Sequence, residues 1–292
     1  MDVRFHRAAA GQTGIALVAV LWMVAALALL ALALATATRA ELHTAQGVRA
    51  RAEAAAIGDA AIQLAMLELR SMPEAQQKFN HLSYEFAGHP VVVELVPASG
   101  LVDLNQASEE LLAGLFSGPG GEEPEVAAEL ARRVVEWRTP GQTEADADYA
   151  AAGIVTRPRR GQFQYPEDLL QVLGASYPLY DRVRDLITVR GGSAGVAPQA
   201  ASLDVLTLLA GGDRDLAARI ASTLGNDPTT DITGLASRFL AGGGSSVYRV
   251  DARVKLGERR YRRTRWIDLS QGGADGTPWR SFRVEPVTGT RD

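Results

Sequence analysis

The sequence predicts an α+β fold made of one long N-terminal helix, a small antiparallel sheet, and a large all-helical insertion that divides the strands. Three observations predict it. An uninterrupted apolar run from Ile15 to Ala35 passes into an Ala- and Leu-rich stretch with no proline before Pro73. Short β-branched or alternating stretches occur at 89–97 and again between 248 and 287. The chain between them, about 145 residues, shows helix periodicity with strand signals nearly absent.

The first element is the apolar helix. Residues 1–14 form a polar leader with Arg4, His6 and Arg7 that ends in Gln12-Thr13-Gly14, and Ile15-Ala16-Leu17 opens the run directly. A Sec-type signal carries its small-residue cleavage site beyond the apolar run. Here the small residue precedes the run, so a cut after Gly14 would keep the run in the mature chain. In this the segment resembles a type IV pilin-like leader; the plainer reading is a signal anchor with an incidental glycine. Crossing a bilayer as a helix takes roughly 20 residues, which the run supplies. The leader then lies in the cytoplasm and residues beyond about 36 outside, although Arg39, Arg49 and Arg51 dilute the charge bias.

The helix continues past the run. From Thr36 to Arg70, charges such as Glu41, Glu53 and Asp59 are spaced among Leu42, Ile57, Ile62, Leu64, Met66 and Leu69 in a helix pattern. One helix of about 55 residues is expected to begin in the membrane and lay its outer half on a globular head.

Composition bounds the rest of the chain. The 292 residues are 47% hydrophobic, enough for one large or two ordinary domains beyond the anchor. Without residues 1–14, which hold Arg4, Arg7 and Asp2, 28 basic and 33 acidic residues remain, a net charge of −5 that does not favour polyanions. Cysteine is absent, which excludes disulfides, thiolate metal sites and a cysteine nucleophile.

The strands come next. His89–Pro97 is β-branched and bounded by prolines. Tyr248, Val250, Ala252, Val254 and Leu256 alternate with Arg249, Asp251, Arg253 and Lys255, which predicts a half-buried strand with one wet face. Gly257-Glu258 turns the chain into Arg260–Leu269, and a Gly-rich stretch at 272–276 precedes a further strand at 279–287.

The insertion, about residues 103–240, reads as a degenerate repeat. Its units are Ala107–Leu115, Tyr165–Gly174 and Ala201–Gly211, each opening on residues suited to a helix N-terminus and reaching a glycine where the chain turns. A second helix succeeds each, at Val126–Trp137, Leu179–Leu186 and Leu216–Leu224. This is the pattern of helix–hairpin–helix, or SAM-like, units. The expected organisation is a leader (1–14), a membrane part of the helix (15–36), its soluble part (37–72), a discontinuous pilin-like β head (84–102 and 246–292), a first SAM-like domain (103–200) and a second SAM-like segment (201–245).

These residues together carry a resemblance. Gly14–Trp22, Leu101–Leu112, and Tyr165–Leu173 leading through Leu186-Ile187-Thr188-Val189, in that order and spacing, make the chain similar to the minor pseudopilin K family of the type II (general) secretion pathway. The resemblance implies a non-enzymatic tip subunit that helps initiate and cap the pseudopilus driving export across the outer membrane. It implies cleavage between Gly14 and Ile15 by a prepilin peptidase, with N-methylation of Ile15. The implied partners are the other minor pseudopilins (I, J and H types), the major pseudopilin and the inner-membrane secretion platform, with no nucleic acid. The protein would be a single-pass inner-membrane protein with its C-terminal domain in the periplasm. Most pilin-like subunits carry Glu at the fifth mature position to meet the N-terminal amine of the subunit ahead, whereas here that position is Ala19. A subunit with nothing ahead of it gains nothing from a buried carboxylate, so Ala19 suits the leading place.

Competing chemistry is weaker. Gly191–Gly195 matches the G-x-S-x-G string, yet the hydrolase order needs a later His and all four (6, 43, 81, 89) come before it. Glu144, Asp146 and Asp148 alternate as in the first half of a calcium loop, but Tyr149 and Val155 stand where an EF-hand needs Gly and Glu. They remain candidate calcium ligands, because members of the resembled family can bind calcium in the head; Glu122, Glu123 and Glu125 are a lesser candidate. The alternative function is a membrane-anchored helix–hairpin–helix DNA-binding protein of the DNA-uptake kind, and the hairpin turns lack the Lys and Arg that it wants. A signal-anchored sensor domain is a third reading.

Overall fold

The computed structural model describes residues 13–140, 149, 151, 160–224 and 230–291. The chain divides into two units, Met1–Glu53 and Ala54–Asp292. Helix α1 spans Thr13–Ser71. In the first unit its side chains from 17 to 33 are exposed. Among the described residues no helix is long and apolar enough to cross a membrane.

In the second unit α1 packs on a sheet. The strands are β1 (Asn80–Phe86), β2 (His89–Pro97), β5 (Val247–Leu256), β6 (Arg259–Asp268), β7 (Arg280–Val284) and β8 (Thr288–Arg291). Their order is β1-β2-β5-β6-β7, with β8 also pairing β6, and every pairing is antiparallel. Ala61, Ile62, Ala65, Met66 and Leu69 recur at helix spacing and bury one stripe of α1 against Val91, Val93, Leu95, Tyr248, Val250, Ala252 and Val254. The alternation on β2 and β5 supplies that apolar face. Polar contacts fix the register: Arg263 and Arg265 both donate to Asp59, with Nε to Oδ1 distances of 2.8 Å.

Between β2 and β5 the chain is mainly helical: α2 (Glu109–Ser117), α3 (Pro124–Arg138), α4 (Tyr177–Val183), α5 (Leu203–Leu209) and α6 (Arg214–Leu224), with a 3-10 turn at Pro166–Gln171. One buried cluster runs through it, from Leu104, Leu111 and Phe116 to Trp137, Val183, Leu206 and Ile220. Three helices open on a side-chain cap: Ser108 Oγ accepts from Leu111 N, Ser176 Oγ from Leu179 N, and Asp213 Oδ1 from Leu216 N.

Several expectations are corrected. The sheet gains β1 and β8, neither of which is among the expected strands. The β1–β2 turn is Ala87-Gly88, both at positive φ, where a sequence signal would be Asn-Gly or Asp-Gly. The insertion is not free of strands: β3 (Val102–Asp103) pairs in parallel with β4 (Ile187–Thr188). The second unit of the repeat opens with a 3-10 turn, and α4 ends at Val183, before Leu186. Gly174 and Gly211 do turn the chain at positive φ, but Gly114 lies inside α2, and the first turn falls at 118–121.

Candidate functional site

The expected wet face of β5 is dry in its first half, while Arg253 and Lys255 stay exposed. Arg249 is 6% exposed and Asp251 0%, because the helical insertion covers that side of the sheet. Asp251 accepts from Arg249 Nε at 2.9 Å, Arg262 Nε at 2.8 Å and Thr264 Oγ1 at 2.5 Å. Arg262 turns its other two nitrogens to Asp185, just after α4, at 2.7 and 2.9 Å. Arg249 also donates to the Asp185 carbonyl oxygen. Two guanidinium and two carboxylate groups therefore close a neutral joint between sheet and insertion. A second link lies nearby, where Arg283 of β7 holds Glu167 of the 3-10 turn, with one Nη1–Oε2 distance of 2.9 Å.

This geometry sets the electrostatics. Burial alone would raise the Asp251 carboxyl, but Arg249 and Arg262 outweigh it and hold the group down to about 2. Asp185 is lowered against its own burial by Arg262 and Arg249, and Glu167 by Arg283. Each carboxylate is locked in its charged form, the state that fixes the two layers in one geometry.

The 101–112 stretch acts as a staple at the mouth of the insertion. Asp103 Oδ1 accepts from Asn105 N at 2.8 Å and Oδ2 from Gly192 N at 2.9 Å. Asn105 spends its whole amide on distant backbone: Nδ2 donates to Phe163 O and Val189 O, and Oδ1 accepts from Phe163 N. Arg138 of α3 donates to Leu104 O and Ala107 O. Gly100 lies so close to Ala200 that a Cβ would sit 2.0 Å from its carbonyl oxygen. The chain from 100 to 107 is thereby clamped to the backbone at 163, 189–192 and 200, which the pairing of β3 with β4 extends.

The fold places most of the candidate residues. Gly14 and Ile15 fall in the first turn of α1, and Ala19 is exposed on it. Glu144, Asp146 and Asp148 lie outside the described residues. Tyr149, beside them, is 3% exposed; its hydroxyl accepts from Leu173 N, and its ring packs near Trp137. Among the described residues no group of three His, Asp or Glu is placed to hold a metal. Glu122 pairs with Arg182 at 3.1 Å. Ser193 of the G-x-S-x-G string accepts from Gly195 N in a local bend. The joint residues Asp185, Arg249, Asp251 and Arg262 are not singled out by sequence reasoning. The available signal is the density of arginine in β6, which calls for buried counter-charge.

No protein-family model matches the chain, and no curated protein matches it. Among solved structures it is similar to a chain of the crystal structure of the GspK-GspI-GspJ complex from the type 2 secretion system of enterotoxigenic Escherichia coli, at 14% identity and a TM-score of 0.50. The likeness covers 85% of this chain and 98% of that one. Over that span the chain has the fold of a chain of that complex.

Proposed function

We propose that the chain is a K-type minor pseudopilin, a non-catalytic subunit at the tip of a type II secretion pseudopilus, anchored in the inner membrane by residues 15–36 with its head in the periplasm. The observation that carries this reading is the extent of the structural likeness. A match that left out residues 103–240 would cover only about half of the chain, so a likeness over 85% must take in much of the insertion. The membrane helix packs on sibling pseudopilins, the sheet meets their heads, and the insertion, locked to the sheet by its ionic joint, adds bulk that blocks a further subunit above. The partners are I-, J- and H-type minor pseudopilins below the tip and the major pseudopilin in the shaft, with the prepilin peptidase and the inner-membrane platform acting before assembly. The DNA-uptake alternative loses support at the hairpin turns, where the Asp213 carboxylate already occupies the N-terminus of α6.

The reading is tested by expressing the full chain with its sibling minor pseudopilins. The expected result is co-purification with the I- and J-type subunits and an intact mass that begins at an N-methylated Ile15. A mature start near residues 36–40, or no complex, would overturn it.

Calcium is part of the same proposal, with Glu144, Asp146 and Asp148 as ligands. Saturating calcium at about a hundred times its dissociation constant adds roughly 2.7 kcal/mol. The melting temperature of the 37–292 fragment is therefore expected to rise with calcium, and Asp146→Ala with Asp148→Ala to remove the increment. An unmutated fragment indifferent to calcium leaves the loop as solvated acid.

A further inference from the structure

Where β7 runs beside the insertion, the two enclose a cleft of about 150 Å³. Arg190, Arg280 and Arg283 line it, and no carboxylate does. Arg283 is engaged with Glu167 and Glu285. The other two guanidiniums are not so balanced. Arg280 donates to the neutral Gln271 side chain at 3.0 Å. Arg190 lies with its guanidinium carbon 4.5 Å from the Phe282 ring centroid, and among the described residues that guanidinium donates no hydrogen bond. Asp268 feels the charge of Arg190, but its oxygens already accept from Ser270 and Gln271.

We infer that this cleft is a socket for the carboxylate of an acidic side chain presented by a partner polypeptide. Two cations with little counter-charge in so small a space repel, and an anion between them removes the repulsion. A guanidinium stacked on a ring keeps its in-plane N–H edge open, and that edge matches a planar two-oxygen acceptor. Tyr165, 57% exposed, and the ring of Phe282 supply an apolar wall for the residue next to the acid.

The experiment is calorimetric titration of the detergent-solubilised full-length chain with the blocked tripeptide acetyl-Phe-Glu-Gly-amide, its Gln analogue, and inorganic phosphate. Losing one charge-assisted bond weakens binding about tenfold or more. The Glu peptide is therefore expected to bind at least about tenfold tighter than the Gln peptide. Arg190→Gln and Arg280→Gln should each remove about that factor. Arg219→Gln, on the exposed side of α6, should remove none, and all three variants should melt with the unmutated chain. Equal binding of the two peptides, no binding of either, or unweakened binding by the Arg190→Gln, Arg280→Gln double variant overturns the socket. Tighter binding of phosphate than of the Glu peptide overturns its assignment to a carboxylate.

Discussion

Replacing Asp251→Asn is expected to destabilise the 37–292 fragment by about 3–5 kcal/mol, the cost of removing one partner from a buried ion pair. The substitution keeps the shape and one acceptor but leaves Arg249 and Arg262 facing each other, with Asp185 alone to balance them. By contrast, Arg253→Gln breaks a pair with Glu94 whose arginine side chain is 52% exposed, and should cost no more than about 1 kcal/mol. Urea unfolding of the two variants makes the comparison. A loss for Asp251→Asn as small as that for Arg253→Gln would mean that water reaches the joint and that insertion and sheet are not locked by charge.

The same joint sets the response to acid. Asp251 is held down to about 2 in the folded chain and returns to the ordinary carboxylate range, near ~4, on unfolding. A depressed folded value means that the unfolded chain binds more protons, so the contribution is complete above the unfolded value and is lost as pH falls through ~4 toward 2. Asp59, Asp185 and Glu167, all lowered by arginine partners, act with the same sign. Asp103 has the opposite sign, because burial raises it beyond what its backbone N–H partners recover. Stability should therefore fall steeply below pH ~4, and Asp251→Asn should flatten the profile as well as lower it.

What is legible in the sequence is what is periodic and local. The α1 stripe and the β5–β6 hairpin declare themselves because Ile62, Met66 and Leu69, or Val250, Ala252 and Val254, repeat at the spacing of their element. β1 carries the same signal in Leu82, Tyr84 and Phe86, but its Ala87-Gly88 turn lacks the residues that mark a hairpin. The 3-10 turn at 166–171 shares its proline and acids with an α-helix start, so only the folded backbone separates the two. The joint is hidden for a different reason. Arg249 and Asp251 alternate as solvent-facing residues do, and what buries them is a loop some 65 residues away in sequence. Asn105 likewise shows its role only through partners 58 and 84 residues downstream.

If the chain leads the fibre as proposed, the substitution Ala19→Glu is expected to lower incorporation into the tip by up to roughly a hundredfold, since an ionised acid costs about 2.5–3.5 kcal/mol at the centre of a membrane helix, less toward its end where position 19 stands, and 1.4 kcal/mol is a factor of ten. The outcome turns on what stands ahead of position 19. In a subunit within the shaft, an acid there would meet the N-terminal amine of its predecessor and recover the cost. A leading subunit has no predecessor, so the introduced carboxylate would stay unpaired, while the amine of Ile15 remains open to the subunit behind. Deleting the insertion is a poorer test of the same idea, because it would strip Asp185 from Arg262 and Glu167 from Arg283 and disturb the head itself. The decisive measurement is secretion in cells together with the position of the variant along the fibre. Should Ala19→Glu enter the shaft and support normal secretion, the chain does not lead the fibre, even if it is a pseudopilin.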